Sequence, residues 1–293
     1  MTVASTITRQ NVSRETESLP RPRTTRMIVV ANQKGGVGKT TTAVNIASAL
    51  ARGGLRVLFF DLDPQGNAST ALGIEHTTGV PGTYEVLLQR TPIAEVVQQS
   101  PEAETLTVVP ATIDLAGAEI ELVPQVAREQ RLIRAVRSYL KNHEVDYVIF
   151  DCPPSLGLLT LNGLVAASEI LIPIQCEYYA LEGVTQLMRT IQLVREELNP
   201  GLELSTVLLT MFDARTKLSA QVGQQVREHF PEQTLLTLIP RSVRLSEAPS
   251  YGSTIFGYDP ASVGAKAYRK AATEIAQRGA GSVEYQARRE SQS

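Results

Sequence analysis

The chain has 293 residues, 43% of them apolar, enough for one large domain or two small ones. Its 28 Lys and Arg against 30 Asp and Glu give a formal charge of −2, which excludes a polycation that coats nucleic acid with its whole surface; any DNA binding must come from a local patch. Two cysteines without zinc spacing, no apolar run long enough to span a bilayer and no signal-type h-region point to a reducing, cytoplasmic setting and to Cys152 and Cys176 as small core residues.

Residues 1–26 are rich in Ser, Thr and Arg, carry Pro20 and Pro22, and read as a disordered arm. Arg9, Arg14, Arg21, Arg23 and Arg26 against Glu15 and Glu17 make it mildly basic, as an ordinary solvated tail can be. The run Met27–Ala31 then reads as a buried parallel strand, and Val44, Ile46, Ala47 and Leu50 mark a helix up to Arg52. Between them lies Lys34-Gly35-Gly36-Val37-Gly38-Lys39-Thr40-Thr41. Strand, glycine turn and helix make a phosphate cradle: backbone N–H groups converge on an anion and the helix N-terminus adds partial positive charge. Lys39 is placed to reach the β- and γ-phosphates of ATP and the Thr40 hydroxyl to sit on Mg²⁺. The common loop pattern has glycine where Gln33 stands; here an extra lysine, Lys34, precedes the first glycine.

A second buried strand, Arg56–Asp61, leads into Asp61-Leu62-Asp63-Pro64-Gln65-Gly66. Carboxylates at the carboxyl end of such a strand lie at the crevice where doubly wound sheets bind ligands. Residues 68–101 read as mixed helix and loop, Leu106–Val109 as a short strand, and Ile113–Asn142 as helix broken at Pro124, with Leu132, Ile133, Val136 and Leu140 facing the core. The arginines of that helix read as a solvated face. Tyr147-Val148-Ile149-Phe150-Asp151 is a Walker B strand, whose Asp151 holds Mg²⁺ directly or through water. Strands at Ile170–Ile174, Ser205–Met211 and Leu235–Ile239 alternate with helices at Leu181–Leu198, Leu218–Phe230 and Ala261–Arg278. The alternation predicts an α/β, doubly wound, mainly parallel sheet with helices on both faces: one domain over 27–278, followed by a polar tail over 279–293.

The lysine-first loop, the Asp-Leu-Asp-Pro-Gln turn and the Asp151-Cys152-Pro153-Pro154-Ser155 ending together resemble the deviant Walker A ATPases. Pro110-Ala111-Thr112, Leu115-Ala116-Gly117-Ala118-Glu119, Gln175-Cys176-Glu177-Tyr178-Tyr179 and Pro240-Arg241-Ser242-Val243-Arg244 are similar to the ParA/Soj chromosome-partition branch, over nearly the whole span from 26 to 278. The resemblance implies an ATP-dependent sandwich homodimer that binds double-stranded DNA without sequence preference, is nucleoid-associated, and is released when a ParB-type centromere-binding protein stimulates hydrolysis. In that family Asp63 would position or activate water and Asp61 would support the Mg²⁺ shell. Lys34 would cross to the other subunit's phosphates, as an arginine finger does. The segment Pro240-Arg241-Ser242 stands where the family has Pro-Arg-Asn near the adenine. Ser242 offers one hydrogen bond each way in place of a two-pronged amide edge.

Arg215 and Lys217 follow one late strand, Arg241 and Arg244 the next, and in a parallel sheet both loops open at the same edge. Four cations there would give salt-sensitive, sequence-independent phosphate contacts. By resemblance Arg215 and Arg244 are the strongest candidates. The plainer expectation is surface ion pairing with Asp213 or Glu247. Among rivals, a MinD-like division-site ATPase needs a C-terminal amphipathic helix, which residues 281–289 do not offer. An iron-protein-like reductase needs cluster cysteines, and neither cysteine carries such a motif. A related ATPase that positions a non-DNA cargo shares all the nucleotide chemistry.

Overall fold

The computed structural model describes residues 18–177 and 180–281, the side chains of 180–183 excepted. Strand β1 (Arg26–Val30) runs through the glycine loop into helix α1 (Lys39–Arg52) and then β2 (Val57–Asp61). A short helix α2 (Asn67–Ala71), a π-helical turn at Glu85–Gln89 and α3 (Ile93–Val96) precede the two-residue β3 (Gln98–Gln99) and β4 (Leu106–Val109). Helices α4 (Leu115–Leu122) and α5 (Arg131–Leu140) lead to β5 (Tyr147–Asp151), and α6 (Leu158–Ala166) to β6 (Glu169–Gln175). Then come α7 (Ala180–Glu197), β7 (Glu203–Phe212), α8 (Lys217–His229) and β8 (Thr234–Pro240). The short α9 (Val243–Glu247) and α10 (Ile255–Tyr258) precede the long α11 (Val263–Ala280).

The strands form one sheet in the order β3-β4-β2-β5-β1-β6-β7-β8, parallel throughout except for the β3 edge. Such strands are buried on both faces, which is why they read as continuous apolar runs. Alternate residues serve two cores. Val29, Leu58, Phe60, Phe150 and Ile172 pack with α5 to α8; Ile28, Val30, Phe59, Ile149 and Leu208 pack with α1 and α11. Because β1 lies between β5 and β6, the loop after β1 opens at the carboxyl edge between two crossovers of opposite direction. Doubly wound sheets bind ligands at such a place.

Basic side chains tie the opposite, amino edge together. Arg26 donates from Nε to Glu169 Oε1 (2.7 Å) and from Nη1 to the Ile275 carbonyl (2.7 Å), with its guanidinium over the Tyr147 ring. Arg278 reaches the carbonyls of Ser205 and Gln233 at the starts of β7 and β8. Gly281, just past α11, lies beside the Arg23 guanidinium.

Several boundaries differ from the sequence expectation. The stretch expected as an arm falls partly outside the described residues, at 1–17; within it, Arg26 opens β1, and Leu19 donates its N–H to the Gly53 carbonyl and packs on the α1 core. The expected tail likewise falls outside the described residues at 282–293, while 279 and 280 complete α11. Helix 113–142 divides at 123–130, around Pro124 and a left-handed Ala127 (φ +50°). Helix α6 is absent from the sequence expectation: Leu158–Ala166 is apolar on almost every side, so it shows no 3.6-residue period.

Candidate functional site

The glycine loop is held at both ends. Asn32 donates from Nδ2 to the Pro173 carbonyl of β6 (2.8 Å), and its Oδ1 accepts from the Lys34 N–H (3.0 Å). Farther on, the Thr210 hydroxyl of β7 donates to the Val37 carbonyl (2.9 Å), and Val37 itself is buried. Gly36 (φ +73°) between these anchors and Gly38 (φ +85°) just past the second take left-handed conformations that a side chain would strain. Apart from their chain neighbours, no atom lies within 4 Å of where a Cβ would stand on Gly35 or Gly36, so this part of the loop borders open space. Lys39, Thr40 and Thr41 open α1, whose first-turn N–H groups have no acceptor within the helix.

Three carboxylates converge on this loop. Asp61 and Asp151 end β2 and β5 as register partners, both with no exposed surface. Asp61 is satisfied: Oδ2 accepts from the Ser69 N–H (2.8 Å) and hydroxyl (2.7 Å), and Oδ1 from the Asp63 N–H (3.1 Å). Burial nonetheless pushes its pKa up to about 7. Asp151 differs: neither carboxylate oxygen has a hydrogen-bond partner. Burial and then the Asp61 charge raise its pKa, while the nearby Thr40 hydroxyl and Lys39 ammonium work the other way. Lys39 is buried, which lowers its pKa against the pull of Asp151 and Asp63, and its Nζ donates to the Lys34 carbonyl (3.3 Å). Asp63 accepts from the Gln65 N–H (3.0 Å). The predicted Lys39, Thr40, Asp61, Asp63 and Asp151 therefore meet at one place.

Lys34 stands apart from this cluster. Its side chain is 37% exposed and lies 3.9 Å from Glu177. Pro240 and Ser242 line a cavity of about 180 Å³ that also touches Gly38, Thr41, Met211 and Leu245. Met211 holds a left-handed φ of +51° at an irregular step in the β7–β8 pairing.

The loops after β7 and β8 do meet, through the Arg241 N–H to the Phe212 carbonyl (3.0 Å). Arg215 is paired from Nε and Nη2 with both Asp213 oxygens (2.9 and 2.8 Å), which brings the Asp213 pKa down to about 2. Arg244 lies 3.9 Å from both Glu247 and Asp259, over the Tyr258 ring. Among the described residues no ion pair engages Lys217 or Arg241.

Sequence reasoning missed the residues that brace the site. Ser69 holds Asp61 and accepts from the Ala111 N–H (3.1 Å); Thr83 donates to the Asp61 carbonyl (2.8 Å); Thr210 and Met211 border the glycine loop. Ser69 and Thr83 sit in a stretch without apolar period, and only their complete burial sets them apart.

A protein-family profile described as an AAA domain matches residues 25–204. The sporulation initiation inhibitor protein Soj of Bacillus subtilis is 52% identical over 254 residues, covering 87% of this chain and 99% of Soj. The chromosome partitioning protein ParA of Myxococcus xanthus is 52% identical over 253 residues, covering 86% and 88%. Among solved structures, the protein described as cobyrinic acid a,c-diamide synthase from Mycobacterium smegmatis, with bound ADP and magnesium, superposes with a TM-score of 0.75. It is 41% identical and covers 87% of this chain and 95% of that one.

Proposed function

The chain belongs to the ParA/Soj family of chromosome-partitioning ATPases, and from that premise we propose that it couples ATP binding to homodimer formation and to sequence-independent DNA binding, and is released from DNA when a ParB-type partner stimulates hydrolysis. The observation that carries the nucleotide chemistry is the buried Asp151, both oxygens unpartnered, beside Lys39 and Thr40 at the mouth of the glycine loop. A buried carboxylate without partners is costly unless something of opposite charge completes it.

Mg²⁺ fits that description. Thr40 and Asp151 would hold it, with Asp61, already fixed by Ser69, supporting from behind. Among the described residues no group of three or more His, Cys, Asp or Glu has metal-site geometry. A hydroxyl, one free carboxylate and the nucleotide's own phosphates suit a hard cation that keeps several waters. Bound there, the cation would neutralise charge on the phosphates. Lys39 adds its own positive charge at the β- and γ-phosphates, and its burial away from water strengthens that interaction. Asp63 orients the water that attacks the γ-phosphorus as the bond to ADP breaks. Lys34, half-buried and only loosely paired with Glu177, is free to reach the phosphates of a partner subunit and stabilise the developing charge.

DNA contact is assigned to Arg215, Lys217, Arg241 and Arg244. Pro240 and Ser242 are assigned to the base, in the cavity beside Gly38 and Thr41. No helix among the described residues is long and apolar enough to cross a membrane.

The test is binding to non-specific duplex DNA without nucleotide, with ADP and with ATP, at two salt concentrations. Binding with ATP alone, weakening steeply with salt, is the expected result. No binding in any state would replace this reading with that of an ATPase positioning a non-DNA cargo.

A further inference from the structure

A cavity of about 320 Å³ lies between the π-helical turn at Glu85–Gln89, α3 and α5, and none of its lining residues belongs to the nucleotide site. Three arginines meet around it. Arg131, the first residue of α5, is only 8% exposed. Its Nη1 donates to the carbonyls of Leu87 (2.8 Å) and Leu88 (3.2 Å) and its Nη2 to Gln125 Oε1 (2.7 Å), while its buried Nε has no partner. Arg90 and Arg134 add their charges from the exposed rim, where Arg134 donates only to Gln130 Oε1 (3.0 Å).

Among the described residues none of the three has a carboxylate at ion-pair distance. Elsewhere in the molecule half-buried arginines do: Arg26 has Glu169 and Arg278 has Glu274. Burial, then Arg90 and Arg134, lower the Arg131 pKa, so the positive field is uncompensated. Capping the π-turn carbonyls accounts for Arg131 but not for two further arginines on the same cavity. The backbone is unusual here too. Arg90 ends the π-turn at φ +60°, and π-turns and left-handed non-glycine residues concentrate at functional sites.

The remaining wall is mostly apolar, with Ile93 and Ala135, and Ser138 offers a hydroxyl. The volume is at the low end of small-molecule pockets. The geometry points to a binding site for a small organic anion, its carboxylate or phosphate held by Arg90, Arg131 and Arg134 and its apolar body against Ile93 and Ala135. Arg90 and Arg134 suit both anions, since forked guanidinium donors match two oxygens at once, and Arg131 adds its unpartnered Nε–H.

The experiment uses the full chain saturated with ADP and Mg²⁺, so that the phosphate loop is already filled, and calorimetric titration with phenyl phosphate, benzoate and phenol. Saturable binding of phenyl phosphate or benzoate but not of phenol is expected, and which acid binds more tightly identifies the anion. Because Arg131→Ala removes the cap on the π-turn carbonyls and can unfold that turn, the variant is Arg90→Ala with Arg134→Ala. It should weaken the acid about tenfold or more, as loss of charge-assisted hydrogen bonds does, with ADP affinity and Tm unchanged. Binding by neither acid, equal binding of phenol, or wild-type affinity in the double variant would each overturn the site.

Discussion

Asp61 and Asp151 stand opposite one another at the ends of adjacent strands, both fully buried, and only Asp61 has its oxygens satisfied. Their shared burial makes stability depend on pH in a direction opposite to ordinary acid denaturation. The folded Asp61 has a pKa of about 7 against an ordinary 3.8, so between those values the folded chain keeps a proton that the unfolded chain has lost. Rising pH through about 4 to 7 therefore favours unfolding, by an amount on the order of 4 kcal/mol, and the effect is complete above 7. Carboxylates held low, such as Asp213 at about 2, act oppositely but only below about pH 4. Metal-free wild type should melt at a lower temperature at pH 7.5 than at pH 5. Asp61→Asn should flatten that dependence; an unchanged slope would show that Asp61 is ionised without metal.

Ser69→Ala removes one donor from Asp61 and leaves the Ala111 N–H facing a methyl group. An unsatisfied buried amide costs about 1–3 kcal/mol, so the urea midpoint should fall accordingly. Mg²⁺ should also be held more weakly when nucleotide is present, which calorimetry at fixed ADP would read.

Lys34→Ala and Asp63→Ala should separate two steps that activity alone confounds. Lys34→Ala should abolish the ATP-dependent dimer in size-exclusion chromatography. Asp63→Ala should trap that dimer, retaining DNA binding while losing hydrolysis. Dimerisation of Lys34→Ala on ATP would remove the crossing role from this lysine.

Arg215→Ala with Arg244→Ala should weaken non-specific DNA binding by the ATP state and reduce its salt dependence. For every phosphate no longer neutralised, the slope of log affinity against log salt becomes shallower by about 0.9. Both arginines already face acidic neighbours, Asp213 for one, Glu247 and Asp259 for the other, so DNA must compete with pairs that exist in the free protein. Wild-type affinity in the double variant would leave these as surface ion pairs.

Arg26→Ala should destabilise the fold by about 3–5 kcal/mol, because it strands a largely buried Glu169. Arg26→Ala with Glu169→Gln should recover part of the loss, and chemical denaturation of both variants measures it.

The sheet and the phosphate loop were legible because both are written locally. Parallel strands buried on both faces appear as apolar runs, and a glycine loop between strand and helix has few alternatives. Asp61, Asp63 and Asp151 were legible as well, since each closes or directly follows such a run. What stayed hidden depends on partners distant in sequence. Nothing near Ser69 or Thr83 says that Asp61 is their acceptor, and nothing near Thr210 says that it binds Val37, 173 residues away. Helix α6 was silent because burial on nearly every side erases amphipathic period. The arginines of Ile113–Asn142 read as a solvated face, yet Arg131 is inside; only the turn of chain at 85–90 folding over α5 makes that so.

Gly281 beside Arg23 has a practical consequence. The Arg23 guanidinium reaches Gly281 at the amino edge of the sheet, while the glycine loop and the carboxylates occupy the carboxyl edge. A surface anchor or a fluorescent label attached beside Arg23 or Gly281 would leave the opposite edge, with the glycine loop and the three carboxylates, facing outward.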